Sequence, residues 1–277
     1  MAEARSIWAL TLTAAGPVAL TQASGNDDHG RHDAKVTKVF TLDPSTSGNN
    51  PEGVAWDQRS ESFFVGTVGT GTIYRATLRD KKLRPFITPD PAAPADSAVG
   101  MKVSGGKLFV AGGTTGSIYV YKIKTGALLA RFETGAGGFL NDLVVTERGD
   151  VYVTDSFRPM LWHLTPAMVK AGSGAPEGIN VGPEIAYTAG QFNLNGIVER
   201  RGGRELIVVN TSSMSLFRID INPTHTAARA ITKIDAPAPA GDGLLIDRGR
   251  LLVVTGSPAA VTELNLSRHD SRSSSRR

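Results

Sequence analysis

The stretch Leu108-Phe-Val-Ala-Gly-Gly-Thr-Thr-Gly-Ser-Ile-Tyr-Val-Tyr121 holds two short β-branched and aromatic runs separated by Gly and Thr. That is the composition of a β-hairpin. Its second run starts at Ser117, nine residues after Leu108. The same offset recurs from Phe63 to Thr72, Val151 to Met160, Leu206 to Ser215 and Leu251 to Ala260. A sandwich has no reason to hold one offset through five hairpins. A looser run follows in several units, at 83–88, 127–134 and 228–235. Four strands in each unit of roughly 45 residues is the signature of a β-propeller blade. The fold expected is therefore all-β, a propeller of four-stranded blades over residues 36–266.

A polar residue stands at the head of four of these units. The heads are Glu52-Gly-Val-Ala-Trp56, Asn141-Asp-Leu-Val-Val145, Asn195-Gly-Ile-Val-Glu199 and Asp242-Gly-Leu-Leu-Ile246. The remaining unit opens on Gly100-Met-Lys102, with no ligand oxygen. Groups in one place of successive blades meet only around an axis. Two carboxylates and two carboxamides there form an all-oxygen cage suited to a hard divalent cation. Asn195-Gly196 and Asp242-Gly243 also read as turn dipeptides.

Pro51-Glu52-Gly53, Leu140-Asn141-Asp142, Leu194-Asn195-Gly196 and Gly241-Asp242-Gly243 resemble the metal-site motifs of the gluconolactonase/senescence-marker-protein superfamily. That group of six-bladed propellers includes paraoxonases and diisopropylfluorophosphatase. The resemblance implies a central Ca²⁺, or another divalent ion such as Zn²⁺, Mn²⁺ or Mg²⁺, and hydrolysis of a lactone or small ester over it. It implies Glu52, Asn195 and Asp242 as ligands, Asn141 as ligand or substrate contact, and Asp242 also as general base or nucleophile. It also implies six blades, where five units are visible. The place of the sixth holds Ser267-Arg-His-Asp-Ser-Arg-Ser-Ser-Ser-Arg-Arg277, which has no apolar residue. A shortened chain and a five-bladed variant read alike here. The strand at 36–43 is expected to close the ring on the outer edge of the last blade.

Composition narrows the function. Of the net charge of +4, +3 lies in residues 268–277, so the propeller body is nearly neutral and carries no basic stripe for nucleic acid. The tail at 267–277 reads as basic and disordered. Near the other end, Arg5 precedes the apolar run Ile7-Trp-Ala-Leu-Thr-Leu-Thr-Ala-Ala15, with Thr21 and Ala23 in cleavage-like positions. This layout predicts a signal peptide over 1–23, a polar linker over 24–35, and a secreted or extracytoplasmic protein without a membrane span.

Other chemistries find no residues to run on. There is no cysteine, so thiol chemistry is excluded. Of five histidines, His29 and His32 fall in the polar linker. His163 lies in a strand facing an inter-blade surface, and His225 lies in a turn, too few for a multi-histidine redox centre. No Gly-x-Ser-x-Gly elbow occurs. The glycine-rich Val65-Gly-Thr-Val-Gly-Thr-Gly71 is a hairpin turn with no helix behind it to receive a phosphate. Pro166-Ala-Met-Val-Lys-Ala171 is expected as one helical turn, and the segments 85–99 and 172–192 as loops over the site. Two functions remain: a metal-dependent hydrolase using Asp242 and Asn141, or a binding propeller whose ion only pins the blades.

Overall fold

The computed structural model describes residues 7–11, 18–23, 35–42, 50–89, 97–236, 239–256, 259–266 and 274–276. It is a β-propeller of five four-stranded blades, each an antiparallel meander. In blade one the strands are β4 (Asn50–Asp57), β5 (Ser62–Val68), β6 (Ile73–Thr77) and β7 (Lys82–Ile87). Ahead of it lie β1 (Ile7–Thr11), β2 (Val18–Ala23) and β3 (Lys35–Leu42). Blade two is β8 (Met101–Ser104), β9 (Lys107–Ala111), β10 (Ser117–Lys122) and β11 (Leu128–Glu133). Blade three is β12 (Leu140–Val145), β13 (Val151–Asp155), β14 (Met160–Leu164) and β15 (Glu177–Asn180). Blade four comprises β16 (Leu194–Arg200), β17 (Glu205–Asn210), β18 (Ser215–Ile221) and β19 (Ala228–Ile234). Blade five comprises β20 (Leu244–Asp247), β21 (Arg250–Gly256), β22 (Ala259–Asn265) and β23 (Ser274–Arg276).

The nine-residue offset is the spacing of the second and third strands, and it holds because a short turn joins them in every blade. Inner strands lie side by side in the order β4, β8, β12, β16, β20. Alternation along the second strands sends apolar residues to both faces, so each blade can pack against two neighbours. Four hydrophobic clusters fill the spaces between consecutive blades. Phe64 meets Met101 and Leu108, Phe109 meets Leu143 and Val153, Tyr152 meets Ile197 and Phe217, and Ile207 meets Leu244 and Val253. Among the described residues no such cluster joins blade five to blade one, and Leu245 and Val261 on blade five stay exposed.

Strand pairing differs from expectation in three places. Strand β3 does not complete the last blade; it runs parallel to β7, pairing Thr41 with Lys82 and Leu42 with Leu83. Its Phe40 is fully buried on the outward face of blade one, edge-on to Phe63 at 4.8 Å, beside Val65, Tyr74 and Leu83. That face takes the apolar side of β3 because no neighbouring blade claims it. Within the stretch read as signal peptide and linker, β1 pairs with β2 and β2 with β3. The other residues of that stretch, His29 and His32 included, lie outside the described ones. Finally, Ser274–Arg276 of the basic tail pairs with Glu263–Asn265 as the outer strand of blade five. An outermost strand needs only backbone partners, so the lack of apolar residues does not prevent it.

The helical turn forms as expected. Thr165 caps it by accepting from Met168 N, Pro166 begins it, and Gly172 ends it in the left-handed conformation. The segment 172–192 is not a free loop throughout, because β15 lies inside it and pairs with β14. Among the described residues no helix is long and apolar enough to cross a membrane.

Candidate functional site

The heads sit at irregularities of the inner strands. In β4 the register breaks between Pro51, opposite Thr67, and Val54, opposite Val65. Glu52 and Gly53 together therefore face Gly66 alone. Asn141 and Asp142 bulge in the same way between Leu140 and Leu143, and Asn195 and Gly196 between Leu194 and Ile197. Two residues against one is a β-bulge, a device that re-aims a side chain. Asp242 occupies the matching place before β20, its N–H bonded to Val254 O at 2.8 Å.

Behind Glu52 and Asn195 the glycine is needed for close approach rather than for a turn. A Cβ on Gly53 would lie 1.9 Å from Val99 O, and one on Gly196 would lie 2.4 Å from Asp242 O. Neither glycine has a positive φ, which corrects the reading of Asn195-Gly196 as a turn dipeptide. Bare backbone lets consecutive heads touch, and Gly196 N donates to Asp242 O at 2.8 Å.

Hydroxyl groups link one head to the next. Asn141 Nδ2 donates to Ser156 Oγ at 2.9 Å, and that hydroxyl donates to Leu194 O of the next blade at 2.6 Å. Asn195 Nδ2 donates to Thr211 Oγ1 at 3.2 Å, which in turn donates to Gly241 O at 2.5 Å. Each amide nitrogen is thereby held by its own blade. In this assignment the amide oxygens remain as acceptors.

Electrostatics bring three of the head residues together with one that sequence reasoning missed. Glu52 is half-buried. Burial, then the charges of Asp242 and Asp142, push its pKa up to about 8. Burial also pushes Asp242 up, with Asp142 adding to the rise, while a hydrogen bond from Asn195 opposes it. Asp142 is the missed group. Its Oδ1 accepts from Leu143 N at 2.8 Å, its Oδ2 accepts from Ile197 N at 3.3 Å, and Lys102 Nζ stands 3.6 Å from Oδ1. The available signal was that aspartate fills the position where the other heads carry glycine.

The donor set suits a hard cation in its chemistry. Burial first, and the charges of Asp242 and Asp142 second, raise the pKa of Glu52, and a cation beside it would oppose both. Among the described residues no three His, Asp or Glu side chains alone are spaced to hold a metal. A cation at the axis would thus need the amide oxygens of Asn141 and Asn195 beside Glu52 and Asp242.

The other singled-out residues lie elsewhere. His163 is buried, stacked on Tyr152 at 4.8 Å, with Nε2 2.8 Å from Asp150 Oδ1. Tyr152 donates to His225 O at 2.8 Å, tying blade three to a turn of blade four. A surface hollow lined by Met214, Lys233 and Ile234 sits on the rim of blade four and contains none of the heads.

Neither a protein-family model nor a curated protein matches the sequence. Solved structures do match in fold. A chain from the nidogen/laminin complex superposes with a TM-score of 0.64 at 16% identity, covering 95% of this chain and 91% of its own. Virginiamycin B lyase from Staphylococcus aureus, solved with quinupristin, gives 0.62 at 13% identity, covering 95% and 82%. A streptogramin B lyase gives 0.58 at 12% identity, covering 95% and 83%. At such identities these likenesses bear on the β-propeller fold alone.

Proposed function

We propose that this chain is a divalent-metal-dependent hydrolase of lactones or small esters, with the ion held by Glu52, Asn141, Asn195 and Asp242. The observation that carries the reading is the matching placement of the heads, Glu52, Asn141 and Asn195 at equivalent bulges of the inner strands and Asp242 in the corresponding place before β20. The resemblance of the four head motifs to the gluconolactonase superfamily supports the same reading. Ca²⁺ is the preferred ion because every donor is oxygen.

A bound divalent ion would supply the positive charge that polarises a carbonyl and acidifies a water. The chain's own residues do the rest. Asp242 takes a proton from the attacking water as the new C–O bond forms, then returns it to the departing alkoxide as the acyl C–O bond breaks. Asn195 donates to Asp242 and holds its orientation. Asn141, its amide nitrogen tied to Ser156, keeps its amide oxygen for the ion and its remaining N–H for the substrate. Asp142 is a positioning residue, pinned by the N–H groups of Leu143 and Ile197 and facing Lys102.

A second reading keeps the ion and removes the turnover. One observation favours it: Lys102 and Asp142 face each other at 3.6 Å, so among the described residues neither stands beside the heads as a free second acid–base group. Calorimetry on chelated protein tests the ion common to both readings. Ca²⁺ uptake weakened by Glu52→Gln supports it, and equal uptake by wild type and a Glu52→Ala/Asp242→Ala variant contradicts it.

A further inference from the structure

Phe139, Phe157 and Phe192 form a three-ring cluster at the end of the molecule where the inner strands begin. Their centroids lie 5.1 Å (Phe139–Phe192), 5.3 Å (Phe157–Phe192) and 5.6 Å (Phe139–Phe157) apart, so each ring touches the other two. Phe157 is 42% exposed and Phe192 45%, whereas Phe40, Phe63, Phe64, Phe109, Phe132 and Phe217 are buried. Chain position puts the cluster beside the heads. Phe139 precedes Asn141 by two residues, and Phe192 precedes Asn195 by three. Phe157 follows Ser156, whose hydroxyl receives the Asn141 amide. At about 3.3 Å per strand residue, the rings are rooted within roughly 10 Å of the two amides. That is the reach of one small ester.

The exposed rings stand on a rigid frame. Asp155 is fully buried and its carboxylate accepts from the N–H groups of Phe139, Phe157 and Arg158, at 3.0–3.1 Å, and from Arg158 Nε and Trp162 Nε1. Asn193, also buried, accepts from Thr188 N and Ser212 Oγ at 2.8 Å and donates to the carbonyls of Ser156, Thr188 and Gln191. Arg158, the nearby cation, is spent on Asp155 and Thr134. Apolar surface held out in water by saturated buried groups is pre-organised for a ligand. With Arg158 committed to Asp155 and Thr134, no free charge stands against the rings among the described residues, so the group they suit is neutral, and ring edges and faces at these separations receive another ring in stacked or edge-on geometry.

We propose that Phe139, Phe157 and Phe192 form the subsite for the aromatic group of an aryl ester or aryl lactone whose carbonyl lies over the blade heads. The assignment rests on the hydrolase reading for the carbonyl end and on the ring cluster for the aromatic end. Acetophenone, an aryl carbonyl compound that cannot be hydrolysed, probes the second part alone. Its affinity, measured by ligand-observed NMR, should fall about tenfold in Phe157→Ala/Phe192→Ala, with 2-butanone unaffected. The milder Phe157→Leu/Phe192→Leu, which keeps apolar volume, should lose most of the same affinity. Correspondingly, KM for phenyl acetate should rise about tenfold while KM for methyl acetate holds. Acetophenone bound by wild type and released by the variants, with no ester turned over, would keep the subsite and sink the hydrolase. Phenyl acetate turned over with unchanged KM in both variants would overturn the subsite and keep the hydrolase. No acetophenone binding to wild type, or equal binding to all three proteins, overturns the proposal.

Discussion

A Cβ placed on Gly100 would fall 2.5 Å from Asp142 Oδ1 and 2.5 Å from Asp142 Cα. The head of blade two lacks a ligand oxygen because blade three already fills its place. The N–H of Gly100 donates to Asn141 O at 2.7 Å, so the two heads share one site on the ring.

Gly100→Ala should therefore destabilise the protein by about 1–3 kcal/mol, the range for overpacking a filled interior. The backbone of Asp142 and Asn141 cannot swing away as a flexible side-chain tip would. Urea denaturation measures the loss. Gly100→Ala should also weaken divalent-ion affinity by displacing Asn141, which isothermal titration would detect.

The metal-free protein should lose stability as pH rises. The Glu52 carboxyl is raised from its ordinary 4.5 to about 8, so between those values the folded chain binds more protons than the unfolded one. Stability from this group is complete below about pH 4.5 and is lost through pH 8. Asp242, raised in the same direction, adds to the slope. Denaturation in chelator across this range should show the decline in wild type, a shallower one in Glu52→Gln, and little in saturating Ca²⁺. A Glu52→Gln slope equal to wild type would remove this carboxyl as its source.

The hydroxyl relays predict a coupled loss. Thr211→Val removes both the hold on Asn195 and the bond to Gly241 O. It should cost about 1–3 kcal/mol, because a buried carbonyl is left without its donor. Ion affinity should fall as well, since nothing then fixes the Asn195 amide. Unchanged stability and affinity in Thr211→Val would show that the relay contributes nothing.

The parts of the fold governed by local geometry were legible. Second and third strands are joined by short turns, so the offset from Leu108 to Ser117 survives in the structure as β9 and β10. The parts governed by competition between distant edges were not. Strand β3 could meet either of two blade edges, and only the apolar surface around Phe63 and Leu83 decides for blade one. At the site, the positions of Glu52 and Asp242 were readable from phase, but Asp142 was not. Its sequence signal is only that aspartate stands where the other heads carry glycine; its role comes from a bulge and from space vacated by Gly100, which act across strands. The glycine after Asn195 misled for the same reason: its need arises from Asp242 O in the next blade.

Asp242→Asn tests the hydrolase most directly. It keeps side-chain size and one oxygen donor while removing the group that must accept a proton. A set of γ- and δ-lactones and aryl esters, with Ca²⁺, Mn²⁺ and Zn²⁺ in turn, should be compared in wild type and variant at matched metal occupancy. The account predicts a metal-dependent activity in wild type that falls about 10²–10⁴-fold in the variant, with the melting temperature held. No turnover by wild type, in a protein whose melting temperature chelation lowers, would contradict it and make the ion a structural pin.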